Sequence, residues 1–213
     1  AEGAALTDAI VDAAGKASGR IVLVFDDAYE GYVYEDDAAP TSLFGHFVGA
    51  HPNIIPVKCD GATKEFLLYG GRTAAATFAL HPEWGDIDGV HAELENKFKA
   101  LIRGSISNCN HATQQAVAAA LGNMDQVAKE RQKIVDVLAG RYRKINAAFE
   151  NTDLSGCEPD PFNAGFFCSL NVKQPAEEVA DRLLKEYKVG TIPMNIPSLG
   201  INSIRIAFCS VEA

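Results

Sequence analysis

The run Ile21-Val22-Leu23-Val24-Phe25-Asp26-Asp27-Ala28-Tyr29-Glu30-Gly31-Tyr32 decides how this chain is read. Aliphatic residues and a phenylalanine lead without interruption into two acids. A strand covered on both faces needs no polar alternation, so this is the pattern of a buried parallel strand meeting its carboxyl edge. In open α/β sheets, ligands gather at that edge. A second apolar run, Asn53-Ile54-Ile55-Pro56-Val57-Lys58-Cys59, reads as the neighbouring strand. Between them, Thr41 to Ala50 reads as a short helix with Leu43, Phe44, Phe47 and Val48 inward. Strand, helical crossover and strand make a right-handed βαβ unit. The residues after Cys59 then arrive at the same edge as Asp26.

Those residues are Asp60-Gly61-Ala62-Thr63-Lys64-Glu65-Phe66-Leu67-Leu68-Tyr69-Gly70-Gly71-Arg72, and Thr73 to Leu80 reads as a further strand. A lysine that attacks a carbonyl must be neutral or tied up as an imine, since its free pKa is ~10.4. An arginine presents a flat fork of donors that suits a phosphate dianion. A cofactor carrying both an aldehyde and a phosphate needs Lys64 and Arg72 at a fixed separation. Alone, the two also read as solvated side chains. With Asp26 to pair with a protonated ring nitrogen and Tyr29 to donate to a phenolate-like oxygen, the set fits pyridoxal phosphate (PLP).

Phe25 to Tyr32, followed by Thr63-Lys64 and Arg72, closely resembles the fold-type I, class I/II aminotransferases. The resemblance implies an α/β fold of the PLP-transferase type: part of a mainly parallel sheet with flanking helices, then a small α+β domain. It implies that Lys64 forms the internal aldimine, that Asp26 keeps the pyridine nitrogen protonated, that Tyr29 hydrogen-bonds the ring 3-oxygen and that Arg72 binds the phosphate. Where many members have a serine three residues before the lysine, this chain has Gly61, so either Thr63 or a backbone amide is the substitute phosphate contact. Leu101-Ile102-Arg103-Gly104-Ser105-Ile106-Ser107-Asn108 resembles a family segment that crosses a dimer interface. It implies a homodimer, with Arg103 reading the far carboxylate of a dicarboxylic, aspartate-like substrate and Ser107 near the partner's cofactor. The plainer reading of Arg103, a cation complementing a helix C-terminus, stays open.

Beyond that segment, helices are expected at Asp88 to Ile102, at Thr113 to Leu121 and from a cap at Asn123-x-x-Gln126. The last carries a stripe of Val127, Ile134, Leu138, Tyr142, Ile145 and Phe149, core by periodicity. Gly165 to Val172 alternates with period two, as a strand does. Gln174-Pro175 opens a helix with Val179, Leu183 and Tyr187 inward. In the final strand, Ile204, Ile206 and Phe208 share a face and leave Arg205 on the other. The resemblance makes this strand–helix–strand module a small domain, 129–213, after a large-domain part, 1–128. It also gives Arg205 the substrate α-carboxylate.

Composition bounds the rest. Apolar content of 47% with 22% charged is ordinary for a globular chain. The net charge of −9 argues against nucleic-acid or anionic-membrane partners. No apolar run approaches the ~20 residues of a membrane span. Five scattered cysteines read as free thiols of a cytoplasmic protein, and neither they nor the five histidines have metal-ligand spacing. The helix at Ala1 to Ser18 opens without a preceding strand, and the family's Asn-Pro-x-Gly segment and glycine-rich phosphate loop are missing. The expectation is therefore the C-terminal part of an aminotransferase, inactive by itself. A lyase or synthase on the same fold, and a non-catalytic folded piece, are the alternatives.

Overall fold

In the computed structural model, which describes residues 2–210, the decisive run forms strand β1 (Ile21–Asp26). Strand β2 (Ile54–Gly61) lies parallel to it, in register from Ile21↔Ile54 to Asp26↔Cys59. Strand β3 (Ala74–Phe78) is antiparallel to β2, from Val57↔Phe78 to Gly61↔Ala74. The sheet of order β1-β2-β3 thus holds one parallel and one antiparallel pairing.

Helix α1 (Glu2–Lys16) buries Ala14 against this sheet, with Ile10 and Val11 beside it. Ile21, Leu23, Phe25 and Ile54 complete that cluster with Phe47 of α2 (Phe44–Phe47). Successive strand side chains point to opposite faces, so Val22 and Val24 lie on the other side. They are 57% and 64% exposed. The unbroken apolar run is written for cover on both faces, and among the described residues only one face of β1 receives it. Helix α2 is much shorter than Thr41 to Ala50. Gly49 takes φ 68° and Val48 is extended, which stops the helix and leaves Val48 52% exposed.

One turn of helix, α3 (Ala62–Glu65), follows β2 directly. Then come α4 (Ile87–Ser105), α5 (His111–Leu121) and α6 (Met124–Glu150). Asp86 caps α4, its Oδ1 accepting from Gly89 N at 3.0 Å. The α4 stripe is only partly covered: Phe98 meets Phe78 edge-on at 5.2 Å, whereas Leu101 is 64% exposed. Helix α6 starts as expected, with the Asn123 side chain accepting from Gln126 N at 3.4 Å.

The chain divides into two compact units, Ala1–Gly31 with Ala39–Lys129, and Tyr32–Ala38 with Glu130–Ala213. The second holds an antiparallel sheet of β4 (Cys157–Pro159), β5 (Phe167–Val172), β6 (Ile192–Ile196) and β7 (Ile201–Ala207), in the order β4-β5-β7-β6. Helix α7 (Ala176–Tyr187) packs Val179 and Leu183 on Leu170 and Ile204. Tyr187, expected inward, is 62% exposed, because the chain turns away at Lys188, whose φ is 60°. Sequence patterning marks β5 and β7 and misses β4 and β6. Both carry a proline, Pro159 and Pro193, which argues against a strand except at a sheet edge, and edges are where the order puts them.

No helix among the described residues is long and apolar enough to cross a membrane. All five cysteines are unpaired.

Candidate active site

The register of the first sheet gathers chain ends at one edge. Strand β1 stops at Asp26, opposite Cys59. Asp27 N still donates to Cys59 O at 3.1 Å, and Glu30 N donates back to Asp27 O at 3.0 Å, closing a turn with Tyr29 inside it. Strand β2 runs past the end of β1 to Gly61 and straight into α3, which carries Thr63 and Lys64. Because β3 is antiparallel and starts opposite Gly61, the residues just before it return to the same edge. Arg72 is two residues ahead of Ala74. Asp26, Tyr29, Thr63, Lys64 and Arg72 therefore share one end of the sheet.

Within that group, Lys64 Nζ stands 5.6 Å from the Tyr29 ring centroid. Asp26 is exposed on the face that also bears Val22 and Val24. Thr63 and Lys64 are half-buried, and Arg72 is exposed. The segment between lysine and arginine is tightly shaped: Leu67, Gly70 and Arg72 all have left-handed backbone, with φ 54°, 80° and 51°. For a non-glycine residue that conformation costs about 1–2 kcal/mol, and such residues cluster where ligands are held. The surroundings enforce it. Ala62 N donates to Thr73 O at 3.1 Å, and Thr113 Oγ1 of α5 donates to Gly71 O at 3.1 Å. A Cβ on Gly71 would stand 2.5 Å from Thr113 Cγ2 and 3.1 Å from Leu68 O, so only glycine fits.

Behind the edge lies a charge cluster that sequence patterning does not reveal. The Lys58 ammonium pairs with Glu30 Oε2 at 2.6 Å and with Asp60 Oδ1, and faces Asp27 Oδ2 at 3.9 Å. Burial works against its charge, but the hydrogen bonds and charges of Asp60 and Glu30 outweigh that and hold its pKa above the ordinary lysine value. A lysine ending an apolar strand run, with acids on both neighbouring segments, is the signal that was available.

The remaining expected residues belong to other elements. Arg103 and Ser107 are exposed at the end of α4, where Arg103 Nη1 donates to Ser107 Oγ at 2.8 Å and Ser107 has φ 67°. Arg205 belongs to the second unit. It sits mid-β7 opposite Ser169, its guanidinium 4.6 Å from the Phe167 ring centroid. Its Nε is buried without a hydrogen-bond partner.

The donor set at the first unit's edge is chemically coherent: a primary amine, a phenol, an exposed carboxylate and an arginine. It suits an anionic cofactor with a carbonyl and a basic ring nitrogen. Among the described residues no cluster of metal-ligating side chains occurs.

Comparison with known proteins is direct. The family described as aminotransferase class I and II matches residues 4–213. Among solved structures, an aminotransferase from Anaerococcus prevotii superposes with TM-score 0.78 at 23% identity, over 99% of this chain and 48% of its own. An aromatic aminotransferase from Pyrococcus horikoshii gives 0.71 at 18%, over 96% and 50%. An α-aminoadipate aminotransferase from Thermus thermophilus, solved with N-(5'-phosphopyridoxyl)-L-leucine, gives 0.70 at 18%, over 97% and 49%. At these identities the likeness shows the fold. The chain spans about half the length of these structures. A search of curated sequences finds no match.

Proposed function

The chain belongs to the class I and II aminotransferase family, and from that premise we propose that the protein moves an amino group between an amino acid and a 2-oxo acid with PLP at the first unit's sheet edge. The observation that carries this reading is the Lys64 amine beside the Tyr29 ring, at the edge where the chain ends bearing Asp26 and Arg72 converge. When bound, PLP supplies an electron sink for the charge left on the substrate α-carbon.

The chain's own residues do the rest. Lys64 would hold the cofactor through its aldehyde and, as a free amine, would serve as the general base and acid for the α-proton. Asp26 holds a proton on the ring nitrogen. Tyr29 donates its hydroxyl hydrogen to the ring oxygen, and Arg72 with Thr63 binds the phosphate. Arg205 takes the α-carboxylate; its Nε–H has no hydrogen-bond partner among the described residues. Arg103, freed from Ser107, reads a second carboxylate, making the substrate dicarboxylic and aspartate-like. The working form is a homodimer joined through the Arg103–Ser107 segment, in the cytoplasm, where five free thiols survive.

The test is the absorbance of the chain mixed with PLP, before and after borohydride, with Lys64→Ala as control. The expected result is a visible band and a trapped pyridoxyl group on Lys64, both lost in the variant. No band, or equal labelling of the variant, overturns the reading.

A further inference from the structure

Lys58 pairs with Phe25 across the parallel ladder. By strand alternation it therefore shares the helix-covered face of the sheet, opposite the face that bears Asp26. It stands behind the proposed site, and its side chain is only 17% exposed.

Its contacts are specific in what they join. Asp27 and Glu30 are the two ends of the turn closed by Glu30 N to Asp27 O, and Tyr29 lies between them. Both ends face the Lys58 ammonium, Glu30 at 2.6 Å and Asp27 at 3.9 Å. The other Glu30 oxygen accepts from Ser42 N at 2.9 Å, so that carboxylate is fixed from two sides. Asp27 Oδ2 is buried and accepts no hydrogen bond, which leaves Lys58 as the cation that faces it. The third partner, Asp60, belongs to β2 on the segment that leads into Lys64. One ammonium thus touches both ends of the phenol-bearing turn and the strand end that carries the amine.

We propose that Lys58 is a positioning residue that locks the Tyr29 turn onto β2 and so sets the phenol beside Lys64. The inference rests on the reading of Tyr29 and Lys64 as site residues. The physical reason is that three carboxylates converge on one cation in a half-dry space. Without the cation they repel, and the strain is relieved by taking up protons or by movement of the backbone that bears them. The turn has the fewest ladder bonds to resist this: Asp27 N donates to Cys59 O at 3.1 Å, and β1 has ended before it. Of the three donors an ammonium offers, Glu30 and Asp60 take two.

The test reads the Tyr29–Lys64 approach in the protein without cofactor. In lysine-labelled protein, the Lys64 ε-methylene resonance carries a ring-current shift from Tyr29, and Tyr29→Leu gives its unshifted position. In Lys58→Met the resonance is expected to move to the Tyr29→Leu position, and in Lys58→Arg to stay near wild type. Glu30→Gln leaves the ammonium in place and is expected to fall between them. It carries the test if Lys58→Met fails to fold. A wild-type Lys64 resonance in well-dispersed spectra of Lys58→Met, or of Glu30→Gln where that is the folded variant, overturns the proposal. PLP capture at Lys64 is expected to slow by about 10- to 100-fold in Lys58→Met, the scale of a small misplacement of reacting groups. Failure of wild type to capture PLP would overturn the functional reading instead, and the resonance would still decide the role of Lys58.

Discussion

In the first unit Val22 and Val24 are more than half exposed, while Lys58 and Asp27 are nearly buried at 17% and 16%. In the second, Phe208, Cys168 and Tyr142 are 0%, 3% and 4% exposed, within a nest of rings. Tyr142 stacks near Tyr34 at 5.2 Å and Phe162 at 5.1 Å, and Phe162 meets Phe208 at 6.0 Å. Two phenols in that nest are joined as well: Tyr142 donates to Glu35 Oε1 at 2.7 Å, and Tyr34 to Gly165 O at 2.6 Å. One unit gathers charges and left-handed backbone around a sheet edge. The other fills its interior with apolar contact. Strained backbone and gathered polar groups accompany functional sites, which is why the proposed chemistry is assigned to the first unit.

The comparison breaks most visibly at Phe208. Deleting a fully buried ring typically costs about 3–5 kcal/mol. Phe208→Ala is therefore expected to unfold the second unit at markedly lower denaturant. The lone tryptophan, Trp84, lies in the first unit, its Nε1 donating to Pro52 O at 2.8 Å under the Arg20 guanidinium. Its fluorescence follows that unit, while near-ultraviolet tyrosine signals are weighted to the second. In Phe208→Ala the tyrosine transition should move further than that of Trp84. Equal displacement of both would show that the two interiors do not differ in the way described.

The same contrast explains what was legible in the sequence. Strands β1 and β2 are readable because apolar runs ending in acids are local patterns. So are α1, α6 and α7, whose stripes recur over many residues. The second core is half-legible: the α6 stripe points to Tyr142, and strand alternation points to Phe208. Strands β4 and β6 are hidden by their prolines. The expected length of α2 fails on Gly49, where one left-handed residue overrides a helical pattern. The Lys58 cluster is illegible for a different reason. Glu30 is 28 residues from Lys58, and only the parallel register brings them together. Packing patterns repeat along the chain, whereas a charge cluster is assembled across it.

A middle-sized effect tests whether the shape of the first unit's edge is as constrained as its backbone suggests. Gly71→Ala places a methyl 2.5 Å from Thr113 Cγ2. Overpacking of this kind costs about 1–3 kcal/mol, and here it pushes directly on the residue before Arg72. Thr113→Ser removes that methyl and keeps the hydroxyl that donates to Gly71 O. The single variant should lose PLP phosphate affinity in direct titration, and the double variant should recover most of it. A single variant that titrates like wild type would show that the Gly71 approach does not shape the phosphate site.

The smallest effect is one of slope, and it belongs to the second unit. Burial pushes the Cys168 thiol up to about 11. Burial, with the Tyr32 and Cys209 charges after it, also raises Tyr34, and burial followed by the hydrogen bond to Glu35 raises Tyr142. All three groups stay neutral in the folded protein at a pH where the unfolded chain has begun to lose their protons. Where the unfolded state binds fewer protons, stability falls as pH rises. The Cys168 contribution is intact below about 9, the ordinary thiol value, and is lost progressively up to about 11, after which it levels off. The two tyrosines extend the decline above about 10. Denaturation of the second unit, followed through its tyrosines at a series of pH values, should show this alkaline fall. Cys168→Ala lowers stability at every pH by leaving a small void, but it should flatten the segment between about 9 and about 11. An unchanged slope there would mean that the Cys168 thiol ionises as readily in the folded core as in the unfolded chain, and the second interior would be wetter than its contacts imply.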